Sequence, residues 1–142
     1  MEPCIELAPG AEDNGFAGML AQLVRQNLDD HPDKKPTFLR MRGRVALVVE
    51  DLGLAVTLLF QGGRLSVHDG IHGIPDATVR TSSDYVMKMS LVELDARTGL
   101  PSPEGEVARE LFAASKRGAI RVFGLLTSFM LLVRLTRVMS VQ

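Results

Sequence analysis

Residues 118–139, the last quarter of the chain, place the hardest constraint on the fold. They open with Gly-Ala-Ile-Arg-Val-Phe-Gly at 118–124, a strand-like piece closed by glycines. Residues 125–139 then run long enough for about four helical turns. At about 100° per residue, Thr127, Arg134 and Arg137 fall on one narrow side, and nearly everything else is apolar. A helix on the surface of a domain carries one apolar stripe. This one needs apolar partners around most of its circumference. A sheet supplies one side; the other side requires more protein, a partner, a membrane or a lipid.

A membrane span is not expected. The apolar part of the stretch, 122–133, is about 12 residues long, is broken by Gly124, Thr127 and Ser128, and falls short of a bilayer's thickness. The start of the chain carries Glu2 in place of Lys or Arg, and no long apolar run follows, so it does not read as a secretory signal. The lone Cys4 excludes an internal disulfide and a four-cysteine zinc site, which fits a reducing cytoplasm. The 142 residues amount to about one domain with a real core. Charge is balanced, with 16 basic and 17 acidic side chains, and Trp is absent, so nucleic acid is not an expected partner.

Residues 1–13 contain Pro, Gly and acids and read as a flexible lead-in, with one domain following over 14–142. Asp13 or Asn14 caps a helix of roughly 13 residues, with Phe16, Met19, Leu20, Leu23, Val24 and Leu28 on its apolar side. Pro32 forbids its continuation, and 33–36 read as a linker. Residues 44–50, 54–60 and 64–67 are β-rich, and Gly53 and Gly62-Gly63 turn the chain between them, which makes an antiparallel meander. After a loop over 68–75, residues 76–81 form a fourth strand, and Ser82 or Ser83 caps a helix bearing Tyr85, Val86 and Met89. Ser102 and Pro103 start another helix, with Val107, Ala108, Leu111, Phe112, Ala114 and Ser115 inward and Gly118 at its end. A strand around Ile120 and Val122 and the apolar helix finish the chain. The fold class is α+β: a five-stranded, mostly antiparallel sheet covered by helices.

Three segments, in order, resemble the sterol carrier protein type 2 family. They are Gly62-Gly63-Arg64-Leu65 closing a strand pair, Pro75-Asp76-Ala77-Thr78-Val79-Arg80-Thr81-Ser82-Ser83-Asp84-Tyr85, and the Gly118–Gly124 strand followed by the apolar helix. The resemblance covers roughly residues 16–140. It implies a five-stranded sheet and helices enclosing an apolar tunnel for acyl chains, sterols or other lipids, in a family that is mostly non-catalytic. The chain departs from the family pattern where Ala119 stands in place of a Lys after the glycine. The ending Ser140-Val141-Gln142 is not a peroxisomal address. The run 90–103 is also long for the family and is expected to alter the tunnel mouth.

No catalytic constellation is visible. His68 and His72 are spaced as zinc ligands would be on a helix, but Gly70, Gly73 and Pro75 make the segment a turn, and further ligands are missing. Cys4 has no placed base. Glu50 and Asp51 are adjacent at a hairpin tip, where a solvated turn is the ordinary outcome. Gly62-Gly63 is too short to cradle a phosphate. Neither a metal nor another cofactor is expected, and the chain is not expected to be an enzyme.

The apolar residues are the candidates. On strands they are Leu47, Val49, Val56, Leu58, Phe60 and Val79; on helices they are Tyr85, Met89, Phe112, Leu125, Phe129, Met130, Leu132 and Val133. They are either ordinary core, which is commonplace for helices on a sheet, or the wall of a lipid cavity. The breadth of the apolar circumference and the 7 Met residues, whose thioethers adapt to varied shapes, favour the cavity. Arg121, Arg134 and Arg137 are positioned to meet a carboxylate or phosphate head group, or simply to reach water. The function expected is a non-catalytic carrier of a fatty acid, sterol-like molecule or phospholipid, with transient contact to a membrane surface. The alternative is an accessory or scaffold protein of lipid or quinone metabolism that uses the same fold to dock a partner.

Overall fold

The computed structural model describes residues 2–95, 97, 98 and 100–142. The sheet is built around a meander of β2 (Arg42–Val49), β3 (Leu54–Gln61) and β4 (Arg64–Asp69). Gly53 and Gly62 hold φ of +63° and +67° at the two turns, the left-handed region that glycine enters at least cost. Val45, Leu47, Val49, Val56, Leu58, Phe60, Leu65 and Val67 alternate onto one face and are buried there. Phe38 meets Phe60 edge-on in this layer, with ring centroids 6.1 Å apart.

Among the described residues the sheet has six strands, where the sequence predicts five, and its pairing is mixed. The order is β1-β4-β3-β2-β5-β6. The sixth strand is β1 (Cys4–Leu7), in the stretch expected to be loose. It lies parallel to β4, closed by Cys4 N–H to Gly63 O and Ala8 N–H to Val67 O, both 2.9 Å. The open edge of β4 supplies the hydrogen bonds, and Ile5 and Leu7 supply the apolar contact with the core. β5 (Ala77–Thr81) runs parallel to β2, because loop 70–76 crosses behind the sheet instead of making a hairpin. Thr57 pins the crossing: its hydroxyl donates to Gly70 O at 2.7 Å and accepts from His72 N–H at 2.9 Å. β6 (Arg121–Phe123) closes the other edge antiparallel to β5.

The helices follow the apolar face. α1 (Gly15–Asp30) is capped by Asn14, whose Oδ1 accepts from Phe16 and Ala17 N–H at 3.1 Å each. Residues 33–36, expected to be a linker, instead lead through a short 3₁₀ turn into α2 (Lys35–Arg40). Pro36 sits in its first turn, where the missing amide costs nothing. α3 (Ser83–Met89) is not capped by Ser82; the Asp51 carboxylate accepts from Ser83 N–H at 2.8 Å and from its hydroxyl at 2.6 Å. That contact holds the Asp51 carboxyl below the usual range. α4 (Glu106–Lys116) begins after the Ser102-Pro103 signal, because Glu93 reaches in from another segment and accepts from Val107 N–H at 3.0 Å.

The final helix is shorter than its composition suggests. α5 spans Phe129–Met139, and 125–128 form a turn. Gly124 holds φ of +84° against the backbone of Asp76, which turns the chain before the helix starts. Leu131, Leu135, Val138 and Met139 are buried, whereas Phe129 and Met130 are exposed. The C-terminal end is fastened: Asn27 donates to the carbonyls of Val138 and Met139 at 3.0 and 2.9 Å, and the Ser140 hydroxyl donates to Val92 O at 2.7 Å. Lys34, 1% exposed, donates to Ser140 O at 2.5 Å, and its burial lowers its pKa. Among the described residues no helix is long and apolar enough to cross a membrane.

Candidate functional site

The space that α5 leaves open is apolar. One cavity of about 330 Å³ lies over β5 and β6, between α4 and α5. Val79 and Val122 form its floor, Leu111 and Phe112 one wall, and Leu132 and Leu135 the other. A second cavity of about 540 Å³ runs along the outer side of α5, walled by Phe129, Met130 and Val133 and by the 100–103 segment. Pro101, Ala108, Leu125, Leu132 and Thr136 line both, so the two form one groove wrapped around the first half of α5. Thr136 brings a hydroxyl, but donates it to Leu132 O at 2.9 Å, one turn back, as a helical threonine does. The surface at the groove is greasy: Phe112 in its wall is 64% exposed, and Leu126, next in sequence to the lining residue Leu125, is 97% exposed.

The groove exists because α4 is held loosely against the sheet. Only Ala114 of that helix is fully buried. The rest of its apolar side faces the open space; its start is fixed by Glu93, and its middle by Lys88, whose ammonium meets Glu110 at 2.5 Å.

The structure brings Val79, Met89, Phe112, Leu125, Phe129, Met130, Leu132 and Val133 to this groove. It does not bring Leu47, Val49, Val56, Leu58 or Phe60 there. These are at most 2% exposed and sit in the closed core with Leu20 and Val24 of α1. Strand alternation puts all of them on the helix-covered face, but says nothing about whether a helix lies flat on them or stands away. Tyr85 is also elsewhere: it packs partly against the core, and its hydroxyl accepts from Arg117 at 2.7 Å. Ala108, Leu111, Ile120, Leu135 and Thr136 line the groove without being among the predicted site residues, although the i, i+3 spacing of Ala108 and Leu111 marks them as inward.

Of the three arginines considered for a head group, two are engaged. Arg121 pairs with Glu50 at 2.9 Å, and Arg137 bonds Thr37 at 2.7 Å and approaches Asp33 at 3.6 Å. His68 and His72 stack face to face at 3.9 Å behind the sheet, away from the groove. Burial, then His72 and Arg44, lower the pKa of His68. Among the described residues no three His, Cys, Asp or Glu gather as a metal site.

Comparison with known proteins adds a family. The model of the SCP-2 sterol transfer family matches residues 20–104. Among solved structures, a protein described as "UbiJ-SCP2 Ubiquinone synthesis protein" is 18% identical with a TM-score of 0.62, covering 91% of this chain and 98% of that one. A structure of sterol carrier protein 2 is 14% identical with a TM-score of 0.54, covering 87% and 92%. A conserved hypothetical protein from Thermus thermophilus, described as possibly a sterol carrier protein, is 12% identical with a TM-score of 0.51, covering 87% and 83%. At these identities the likeness is one of fold. No curated protein matches the chain.

Proposed function

The chain belongs to the SCP-2 sterol transfer family, and from that premise we propose that it is a carrier holding one apolar or amphipathic lipid in the groove around α5. The observation that carries this is the continuity of the two cavities through Ala108, Leu125 and Leu132. Their volumes, about 330 and 540 Å³, are those of ligand pockets. The lining offers few polar atoms, so the interaction is chiefly burial of methylenes at about 0.8 kcal/mol each. A ~14-carbon chain gives on the order of 10 kcal/mol gross, against association costs of several kcal/mol. Such a site favours apolar bulk and length over fine discrimination. Acyl chains, sterol-like molecules and phospholipids are all candidate cargo.

The protein acts without catalysing a reaction on its cargo. Residues 14–142 form the lipid-binding unit, and β1 from the lead-in completes its sheet. The free Cys4 suits a cytoplasmic setting. The exposed rim residues Leu126, Phe129 and Met130 support brief contact with a membrane during loading. The test is solvent extraction of the purified protein with mass spectrometry, beside native mass spectrometry of the intact protein. The expected result is about one lipid per chain. A protein that carries none, and that fatty acids, sterols and prenyl lipids all fail to stabilise thermally, overturns the reading.

A second reading is an accessory role in quinone synthesis. It is favoured by the fold likeness to the ubiquinone synthesis protein over 98% of that chain, together with the almost fully exposed Leu126. In that role the rim docks an enzyme. Capture of a defined quinone-pathway enzyme, abolished by Leu126→Ser, supports it; a chain that stays monomeric beside such an enzyme removes it.

A further inference from the structure

Beside the groove lies a recess of different chemistry. Its volume is about 330 Å³, and Arg40, Arg42, Arg134, Asp76, Thr127 and Met130 are among its walls. Met130 also lines the groove, so the two spaces meet at the first turn of α5. Three arginines and one aspartate are the charged residues of its lining. Among the described residues none of the three arginines takes part in an ion pair, whereas Arg64, Arg80, Arg121 and Arg137 each face a carboxylate. One oxygen of that carboxylate is taken up: Asp76 Oδ2 accepts from Arg44 N–H at 2.8 Å.

The recess is shaped by residues that have no side chain. A Cβ on Gly43 would come within 2.8 Å of Leu131 Cδ2 and 2.9 Å of Asp76 Oδ2. A Cβ on Gly124 would strike the Asp76 carbonyl. The guanidinium of Arg42 lies over Gly62, with Nη2 2.6 Å from where a Cβ would stand. Gly43 and Gly124 let Leu131 of α5 and Asp76 come close enough to enclose the space. The first turn of α5 holds no acidic residue, and the Ser128 hydroxyl is spent on Asp76 O at 3.0 Å. The helix end therefore adds to the positive field that the arginines make.

We propose that this recess is a head-group subsite, taking the carboxylate or phosphate of an amphiphile whose chain lies along Met130, Phe129 and Leu132. The inference rests on the groove reading above and narrows its cargo to anionic amphiphiles over neutral sterols and quinones. Guanidinium forks match both oxyanions with paired, charge-assisted hydrogen bonds. A neutral lipid leaves the arginines to water and gains nothing from them.

The test is calorimetric titration with monomeric dodecyl phosphate, dodecanoate and dodecanol, with inorganic phosphate and phosphatidylglycerol vesicles as further arms. The proteins are the wild type, the recess variant Arg40→Gln/Arg42→Gln/Arg134→Gln, and a control, Arg25→Gln/Arg64→Gln/Arg109→Gln, whose positions do not line the recess. The wild type and the control should bind both anionic chains about tenfold or more tighter than dodecanol, the scale of a charge-assisted pair. The recess variant should bind all three as the wild type binds dodecanol, and inorganic phosphate alone should bind far more weakly. Equal affinity for dodecanol and dodecyl phosphate in the wild type, or a preference that survives in the recess variant, overturns the subsite and leaves the groove standing. Phosphate binding as tight as that of dodecyl phosphate overturns it in favour of a free-anion site. Vesicle binding without any preference among the monomers overturns it in favour of a surface contact. Failure of all three chains to bind removes the groove reading and the subsite with it.

Discussion

Replacing Ala108 with Phe separates the groove from ordinary core by driving two measurements in opposite directions. Ala108 lies on α4 and lines both cavities. The new ring adds about six carbons at their junction. If a ligand chain runs there, about as many of its methylenes are displaced, and at about 0.8 kcal/mol each the gross loss is ~5 kcal/mol. That is roughly three to four decades of affinity; a chain that shifts and loses half as much still weakens by about fiftyfold. Stability should move the other way. A ring buried in formerly open apolar space contributes about 1.5–3 kcal/mol, and the lower helix propensity of Phe takes back ~0.5 kcal/mol. The net gain of about 1–2 kcal/mol raises Tm by a few degrees in a domain of this size. The assay is displacement of a fluorescent fatty acid, run beside a thermal melt of the ligand-free protein. A variant with raised Tm and unchanged affinity refutes the placement of the ligand. A Tm lowered by several degrees refutes the groove itself, because overpacking would then be the cause.

Three further outcomes follow from particular side chains. Lys34 is held below the ordinary lysine value by burial, so between that lowered value and about 10.4 the unfolded chain binds a proton that the folded chain does not. Stability should therefore climb as pH rises through that window, and urea titrations from pH 7 to 10 should show a flatter climb for Lys34→Met. His68 is likewise held below its usual value, first by burial and then by His72 and Arg44. Acidification below pH ~6.5 should destabilise the protein through it, and thermal melts of His68→Gln should lose part of that acid sensitivity; equal slopes would refute the assignment. Gly43→Ala meets Leu131 and Asp76 at a φ of +137°, whereas Gly53→Ala, at +63°, meets open space. Chemical denaturation should show a cost of about 2 kcal/mol or more for the first and about 1 kcal/mol for the second.

What could be read from the chain beforehand was whatever rests on local pattern. The alternation of Val56, Leu58 and Phe60 and the glycines between the strands specify the meander. All six apolar positions named on the first helix pack against or within the core, Leu23 and Met19 among them. What escaped was settled by distant partners. Cys4–Leu7 has too little β character to announce itself and becomes a strand because the edge of β4 is open beside it. Lys35-Pro36 looks like a linker until α2 packs beside α5. Asp51 and Glu93 cap helices far away in sequence, so the nearer Ser82 and Ser102 misled. At the groove, the breadth of apolar surface on residues 125–139 signalled unfilled demand. Which sheet residues face that demand depends on where α4 lies, and no periodicity encodes that. Arg40 and Arg42 went unnoticed beside Arg134 because the recess joins the end of α2, the start of β2 and the first turns of α5.

The polar contacts of α5 are concentrated at its C-terminal end, whereas its start is tied by the Ser128 hydroxyl to Asp76 O at 3.0 Å. Asn27, Lys34 and the Val92 carbonyl clamp its root at Val138–Ser140, and the amide of Val141 is tied to Ser90 O at 2.8 Å. Its tip at Phe129 and Met130 projects past the last buried contact, Leu131. In a beam held more firmly at one end than at the other, deflection grows toward the weaker hold. Here the less restrained end borders the cavities, and the firmer end joins α5 to α1 through Asn27. On the carrier reading, the first half of α5 is the part that yields to cargo of different girth, and the fold keeps its footing at Val138–Ser140.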